Sequence, residues 1–539
     1  MTQDSARSGG PEVPAPDPQE NTVPPQSGAE QAGFMTHREV LVVIGGLMVG
    51  LFLAALDQTI VATALPTIVG ELGGLDQYSW TVTAYLLTAT ASTPLYGKIG
   101  DLYGRKTIFQ AAVVIFVLGS VVSGLATTMG VLVAGRAVQG LGAGGLIALT
   151  LAIVGDIVSP RERGRYQGLF GAVFGISSVL GPLLGGFFTE SLSWRWVFWI
   201  NVPLGLLALV VIQRTLHLPK VRVEHAIDYV GAVLIVAAVT AILLVTVWGG
   251  QTYDWDSPII IGLIVAGVVL VVAFVLWELR VPEPLLPMRL FGNSVFTNTS
   301  IVSFLFGFAF FGAIIYLPVY LQVVKGYSPT ASGLLLLPLV LGIFLASAGS
   351  GQAITRTGHY KIFPLVGFVI IPTALLWLST LQVDTPIWNL SLRVFLLGVG
   401  LGLVIQTLVV AVQNAVEPRD LGVATSSNTF FRSMGGAIGT AVFGSVLTAT
   451  LQSSLEQRFP GGPPPGLDSS QLGGTPEAIA ALPDAVRQPL IESFTEALDR
   501  VFLVAVPVGL LALVFVVFLR ELPLRETSGV QEAAREPMA

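Results

Sequence analysis

The chain has 539 residues, 53% of them apolar and 11% charged, with a mean hydropathy of +0.77. A soluble domain carries about 25% charged residues, so most of this surface must face lipid or membrane-buried protein. A net charge of −6 with scattered basic residues gives no footing for nucleic acid, and the absence of cysteine excludes disulfides, thiol catalysis and thiolate metal sites.

Residues 1–37 are rich in Pro, Gly, Ser, Gln and Glu and are expected to be a disordered tail. The first apolar run starts near Val40 and is too long for a signal-peptide h-region. A membrane-spanning helix needs about 20 apolar residues. Fourteen such runs follow, near 40–64, 80–96, 107–128, 131–154, 165–189, 197–216, 228–248, 258–277, 295–322, 330–350, 361–380, 388–412, 421–449 and 497–520. The chain is therefore expected to be an all-α polytopic membrane protein.

Basic residues set the orientation. Lys98, Arg105, Lys106, Arg161, Arg163, Lys220, Arg222, Arg280, Arg289, Arg356, Lys361 and Arg419 fall in alternate loops, while the opposite short loops carry little beyond Arg195 and Lys325. Both termini are thus expected in the cytoplasm. The segment 451–496, with its Gly461–Gly466 Pro/Gly run, becomes an external loop, expected to be a mobile excursion with a short helix near 475–496. A tail at 521–539 returns to the inside.

The chain repeats itself. Gly97-x6-Gly104 at the end of the second run is echoed by Gly351-x6-Gly358, where Thr355 replaces Asp101. Arg136 with Gly140, Gly142 and Gly144 is echoed by Arg393 with Gly398, Gly400 and Gly402. Two six-helix bundles are expected, at 38–216 and 291–520, with two inserted helices and their linkers at 217–290. Repeated halves mark alternating-access transporters.

Chemistry concentrates in a few places. Asp57 sits inside the first run, where an acid costs roughly 2.5–3.5 kcal/mol on insertion scales and needs a partner, water or a proton. It is either a satisfied structural acid or a proton site. At about 1.5 Å per residue, Arg136 reaches a compatible depth, with Gln139 one turn deeper. An aspartate beside arginine stays ionised, and one that loses arginine and water takes a proton.

Gly97, Asp101, Gly104, Arg105 and Lys106 form a charged turn between two apolar runs, and Asp156 ends the fourth run nearby. Arg105 is placed to bridge both acids, and Asp101 to cap a helix start. The alternative is a solvated loop serving topology alone. In the fifth run, Gly175, Gly181, Pro182, Gly185 and Gly186 allow close helix contact with a kink. Trp194, Trp196 and Trp199 suit a membrane interface, and Asn201 faces a cavity or bonds a neighbouring helix. Tyr316, Tyr320, Gln322, Gln406, Asn428 and Arg432 supply aromatic, amide and cationic groups for an apolar ligand pocket, together with Gln139 and Asn201. Arg432 has no evident partner in the sequence. The four histidines lie in or near connecting segments without metal-ligand spacing, and phosphate-loop, nucleophile-elbow and dinucleotide motifs are absent. No enzyme activity, metal or cofactor is expected.

The LDQTIVATALP, GKIGDLYGRK, RAVQGLGAG, GPLLGG and WRWVFWINVP segments resemble the major facilitator superfamily, in particular its fourteen-helix drug:H⁺ antiporters of the QacA/EmrB type. The resemblance covers about residues 38–520. It implies the major facilitator fold and proton-driven export of amphipathic, often cationic compounds from a bacterial cytoplasmic membrane, by a monomer whose partners are small substrates, protons and the bilayer. It implies that Asp57 is the proton and cation site, modulated by Arg136, and that the 97–106 loop latches two moving halves by touching the thirteenth helix, after Arg419-Asp420. The later helices lack a convincing intramembrane acid, a departure from some members. A dedicated exporter of one endogenous lipid, antibiotic or metabolite, and a non-transporting membrane sensor or scaffold, are the competing readings.

Overall fold

The computed structural model describes residues 37–72, 78–158, 160–216, 228–250, 252–459, 479 and 482–525. The expected tail at 1–36, the basic linker with Lys220 and Arg222, the Pro-rich 460–478 stretch and residues 526–539 lie outside the described residues, as do the Arg161 and Arg163 side chains.

The described chain is helical, because a helix satisfies every backbone group internally in an apolar setting. In order run α1 (His37–Leu72), α2 (Tyr78–Tyr103), α3 (Arg105–Gly124), α4 (Met129–Ile157), α5 (Pro160–Ser191), α6 (Trp196–Trp199), α7 (Asn201–Thr215), α8 (Tyr229–Trp248) and α9 (Pro258–Glu278). They are followed by α10 (Ser294–Val319), α11 (Pro329–Leu335), α12 (Leu337–Thr357), α13 (Ile362–Leu378), α14 (Ile387–Ala415), α15 (Leu421–Arg458) and α16 (Asp484–Val517). Caps mark the starts. Thr128 accepts the amide N–H of Val131, Asp228 that of Gly231 and Ser257 that of Ile260. Gly104, with φ of 90°, ends α2 and lets α3 begin at Arg105. Eleven helices are long and apolar enough to cross a bilayer, and apolar stretches at Val173–Thr189 and Ile362–Leu378 are shorter. The count of fourteen spans stays an expectation.

Helix pairing repeats between the halves. α1 packs on α5 and α7, α2 on α4, and α3 on α4 and α7; in the second half α10 packs on α15 and α16, α12 on α14, and α13 on α14 and α16. The halves meet crosswise, α5 against α12 and α2 against α15. The inserted pair α8–α9 does not stand apart. α8 touches both α2 and α15, and Leu87, Ala91, Val239, Leu243, Phe430 and Met434 share one apolar cluster there.

The 451–496 excursion is corrected at both ends. α15 continues to Arg458, and α16 starts at Asp484 and runs unbroken into the last apolar run. Leu490, Phe494 and Leu498 recur at helical spacing and are buried in the core of the second half. Arg458 pairs with Glu496 at 3.0 Å, tying the two helices.

Candidate functional site

Asp57 lies in α1 with no solvent exposure, and Arg136 of α4 is 1% exposed. The guanidinium Nη1 donates to Asp57 Oδ2. Asp57 Oδ1 accepts from Gln139 Nε2 at 2.9 Å and from Asn201 Nδ2 at 2.9 Å. Those two amides also donate to Ser120 Oγ of α3, at 2.6 and 3.0 Å. Arg136 in turn donates to the carbonyl of Thr81 at 3.2 Å and to Gln139 Oε1 at 3.1 Å, and lies 4.2 Å above the Tyr85 ring. Side chains of α4 and α7 thus hold the carboxylate of α1, and α2 and α3 hold those side chains in turn. Arg136 and Gln139 share a face because they are three residues apart.

This geometry answers the cost of an intramembrane acid with a cation and two amide donors. Replacing the ionised carboxylate by a protonated one weakens three hydrogen bonds at once and releases Arg136. Gln139, expected at the pocket, is fully buried on Asp57, and Asn201 takes the second of its two expected readings, a bond to a neighbouring helix. A helical register places a residue at a depth but does not say whether its amide faces a space or a neighbour. Ser120, Thr81 and Tyr85 were not singled out in the sequence. A Thr carbonyl leaves no sequence signal at all, whereas an amide at i+3 from an intramembrane arginine does.

The second site joins the halves. Arg105 pairs with Asp101 at 2.9 Å and with Asp156 at 3.0 Å, and donates to the carbonyl of Ala152 at 2.5 Å. Asp101 Oδ2 accepts the amide N–H of Val423, in the first turn of α15, at 3.2 Å. A Cβ on Gly97 would collide with Ser426, and one on Gly422 with the Asp101 carboxylate, so both positions need glycine for this approach. Gln413 of α14 reinforces the seam by donating to the carbonyl of Leu151 at 3.2 Å. Arg289 grips Asp420 with two bonds of 2.8 Å. Lys106 instead donates to the carbonyl of Gln213, within its own half. At this face the two halves are in contact.

The α5 glycines divide between two contacts. Cβ atoms on Gly181 and Gly185 would meet Thr59 and Thr63 of α1, whereas one on Gly175 would meet Val340 of α12 across the halves. Gly186 meets nothing within 4 Å. At the opposite face Glu71 accepts from Arg195 at 2.7 Å and Trp194 at 2.9 Å, and these bonds hold its carboxyl below the usual range.

Of the remaining residues expected in a pocket, Tyr316 donates to the carbonyl of Thr440 and Tyr320 to that of Gln382, both inside the core of the second half. Gln322 donates to Ser332 Oγ at 3.0 Å, and Asn428 to Ser303 Oγ at 2.7 Å. Gln406 is buried on α14. Arg393, the counterpart of Arg136, turns to Asn389 and the carbonyl of Trp377 rather than to an acid.

Two bundles with matching helix pairing, each built of long apolar helices, are the architecture of a membrane transporter. A family model described as Major Facilitator Superfamily matches residues 47–440, and the chain belongs to that superfamily. It is similar to an uncharacterized MFS-type transporter of Mycobacterium tuberculosis, 43% identical over 487 residues, covering 90% of this chain and 70% of the relative. It is also similar to Multidrug resistance protein 3 of Bacillus subtilis, at 35% identity over 91% of this chain and 97% of the relative. Among solved structures, the human organic anion transporter MFSD10 superposes with a TM-score of 0.61 at 16% identity, over 88% of this chain and 99% of that one, which establishes the shared fold. The protein is a transporter, not an enzyme.

Proposed function

We propose that this protein is a proton-coupled exporter of amphipathic, largely apolar compounds, a multidrug:H⁺ antiporter working by alternating access. The single observation that carries the coupling is the fully buried Asp57, held by Arg136 and two amides. Asp57 is the proton site and Arg136 the group that competes with the proton for its carboxylate. Asp101, Arg105 and Asp156 latch the face that closes on the cytoplasm, and the contact of Asp101 with α15 belongs to the state closed at that face. The membrane is the bacterial cytoplasmic membrane, with both termini inside. The protein acts as a monomer and takes its energy from the proton gradient without a cofactor. Similarity to a named multidrug resistance protein supports the broad substrate class.

The test uses purified protein in liposomes with an imposed proton gradient and the amphipathic dye N-phenyl-1-naphthylamine. Dye should move uphill against inward proton flow and stop when an ionophore collapses the gradient. Dye movement indifferent to the gradient overturns the coupling. Imposed gradients that move no dye and no other amphipathic compound from a panel overturn the export reading, in favour of a sensor or scaffold.

A further inference from the structure

α15 is an interior helix. It touches α2, α4, α8, α10, α14 and α16, and its first turns, Leu421 to Phe430, are buried throughout. Arg432 lies eleven residues from its start at Leu421, about 16 Å along the axis, close to halfway through an apolar layer of about 30 Å. Its backbone packs tightly on Gly307 of α10, where a Cβ would collide with the Arg432 carbonyl. Its side chain is half-buried, and among the described residues it makes no hydrogen bond and no ion pair.

An arginine at mid-membrane depth faces either a neighbouring acid or a water-filled internal space, because lipid is too costly. No acid serves it. Asp57 is engaged by Arg136, Gln139 and Asn201. In the second half, Asp420 is taken by Arg289, Glu496 by Arg458, and Asp499 accepts the amide N–H of Leu381. On the outward side of Arg432, Gly435 and Gly439 pack on the backbone of Phe304 and Phe308, and Phe431, Met434 and Ile438 of the same helix share one apolar cluster with Phe304. The interior at this depth therefore offers one uncompensated positive charge next to apolar surface.

We propose that Arg432 is the substrate charge-selecting residue of the transport site, and that the compounds carried are amphipathic anions, a carboxylate or sulfonate on an apolar body, rather than organic cations. The assignment rests on the transporter reading above and fixes the charge of its substrate. The guanidinium offers paired donors matched to a planar carboxylate, and the low-dielectric surroundings strengthen that bond. An organic cation would meet like charge at the same place.

The experiment measures binding to purified protein in detergent, with no proton gradient. Two fluorescent probes of equal bulk are titrated, 1-pyrenebutyrate and its trimethylammonium analogue. Wild-type protein should bind the anion at least about tenfold more tightly, the scale of one charge-assisted hydrogen bond. Arg432→Gln should lose about tenfold in anion affinity and leave the cation unchanged or tighter, while Arg432→Lys retains most of the anion preference. A wild-type preference for the cation, wild-type protein that binds neither probe, or an Arg432→Gln variant with unchanged anion affinity overturns the proposal. If Arg432→Gln does not yield folded protein, the wild-type preference and the Arg432→Lys titration decide it. Because no gradient is used, loss of proton-driven export alone would sink the coupling reading and leave the charge selection standing.

Discussion

Asp57→Asn tests the ion pair at its centre. The substitution keeps the size of the side chain but removes its charge, leaving the 1%-exposed Arg136 with the Thr81 carbonyl, Gln139 Oε1 and the Tyr85 ring. The new amide also turns a donor toward Arg136 or toward Gln139 and Asn201, where only acceptors suit. Breaking a buried pair from one side costs about 3–5 kcal/mol, more than one neutral hydrogen bond of about 1 kcal/mol. Asp57→Asn should therefore abolish gradient-driven dye transport and also lower thermal stability in detergent. The double variant Asp57→Asn with Arg136→Gln removes both charges, and replacing a buried pair by neutral groups is near neutral. It should regain most of the stability and none of the uphill transport. Both quantities are read on the same preparations, by a melting curve and by proton-driven dye uptake. Full uphill transport by Asp57→Asn refutes the coupling role. Unchanged stability in that variant would refute the account of the pair itself.

Asp101→Asn weakens the bond to the Val423 amide and the pair with Arg105; spin labels at Lys98 and Arg419 should then report longer distances and slower turnover, and unchanged distances would leave the loop a topology signal only. Gly97→Val places methyl groups where Ser426 and the Gly422 carbonyl stand, so it should hold the same face apart and reduce transport several-fold, as cross-linking yields between 98 and 419 will show. Glu71 has a lowered folded-state pKa through Arg195 and Trp194, so its stabilisation is present above about pH 4.5 and is lost as pH falls through the folded value. The melting temperature of Glu71→Gln should lie below wild type at pH 7 and the gap should close as pH falls below the carboxylate range; a gap that widens on acidification contradicts the sign.

The sequence made Asp57 and Arg136 legible because charges inside apolar runs are rare and their depths follow from a fixed rise per residue. The Asp101–Arg105–Asp156 cluster was legible for a similar reason, as glycine spacing and acid placement fall together at a turn. Depth was not enough for Gln139 and Asn201, whose partner atoms lie on α1 and α3. Nor was it enough for Tyr320, whose rotation about the helix axis decides between cavity and core. A short helix was expected near 475–496, but not that it would run unbroken from Asp484 into the last apolar run. Its apolar stripe of Leu490, Phe494 and Leu498 decides the outcome once the second half provides a surface to bury it. Arg432 stood out as unpaired in the sequence, and only the packing around α15 gives that loneliness a direction.

The position of α8 has a consequence for how solutes reach the interior. The two crosswise seams, α2 with α15 and α5 with α12, are equivalent by internal symmetry, yet α8 lies against both members of the first and the Trp80 and Trp248 rings meet edge to face at 5.7 Å. Among the described residues the second seam is flanked by the short α11, which leads into α12, and a shallow apolar recess of Ile176, Leu337, Val340 and Phe344 opens along it. A compound dissolved in the bilayer thus meets a molecule with one shuttered flank and one recessed flank. The inserted hairpin breaks the internal symmetry, covering one seam of the two halves and not the other.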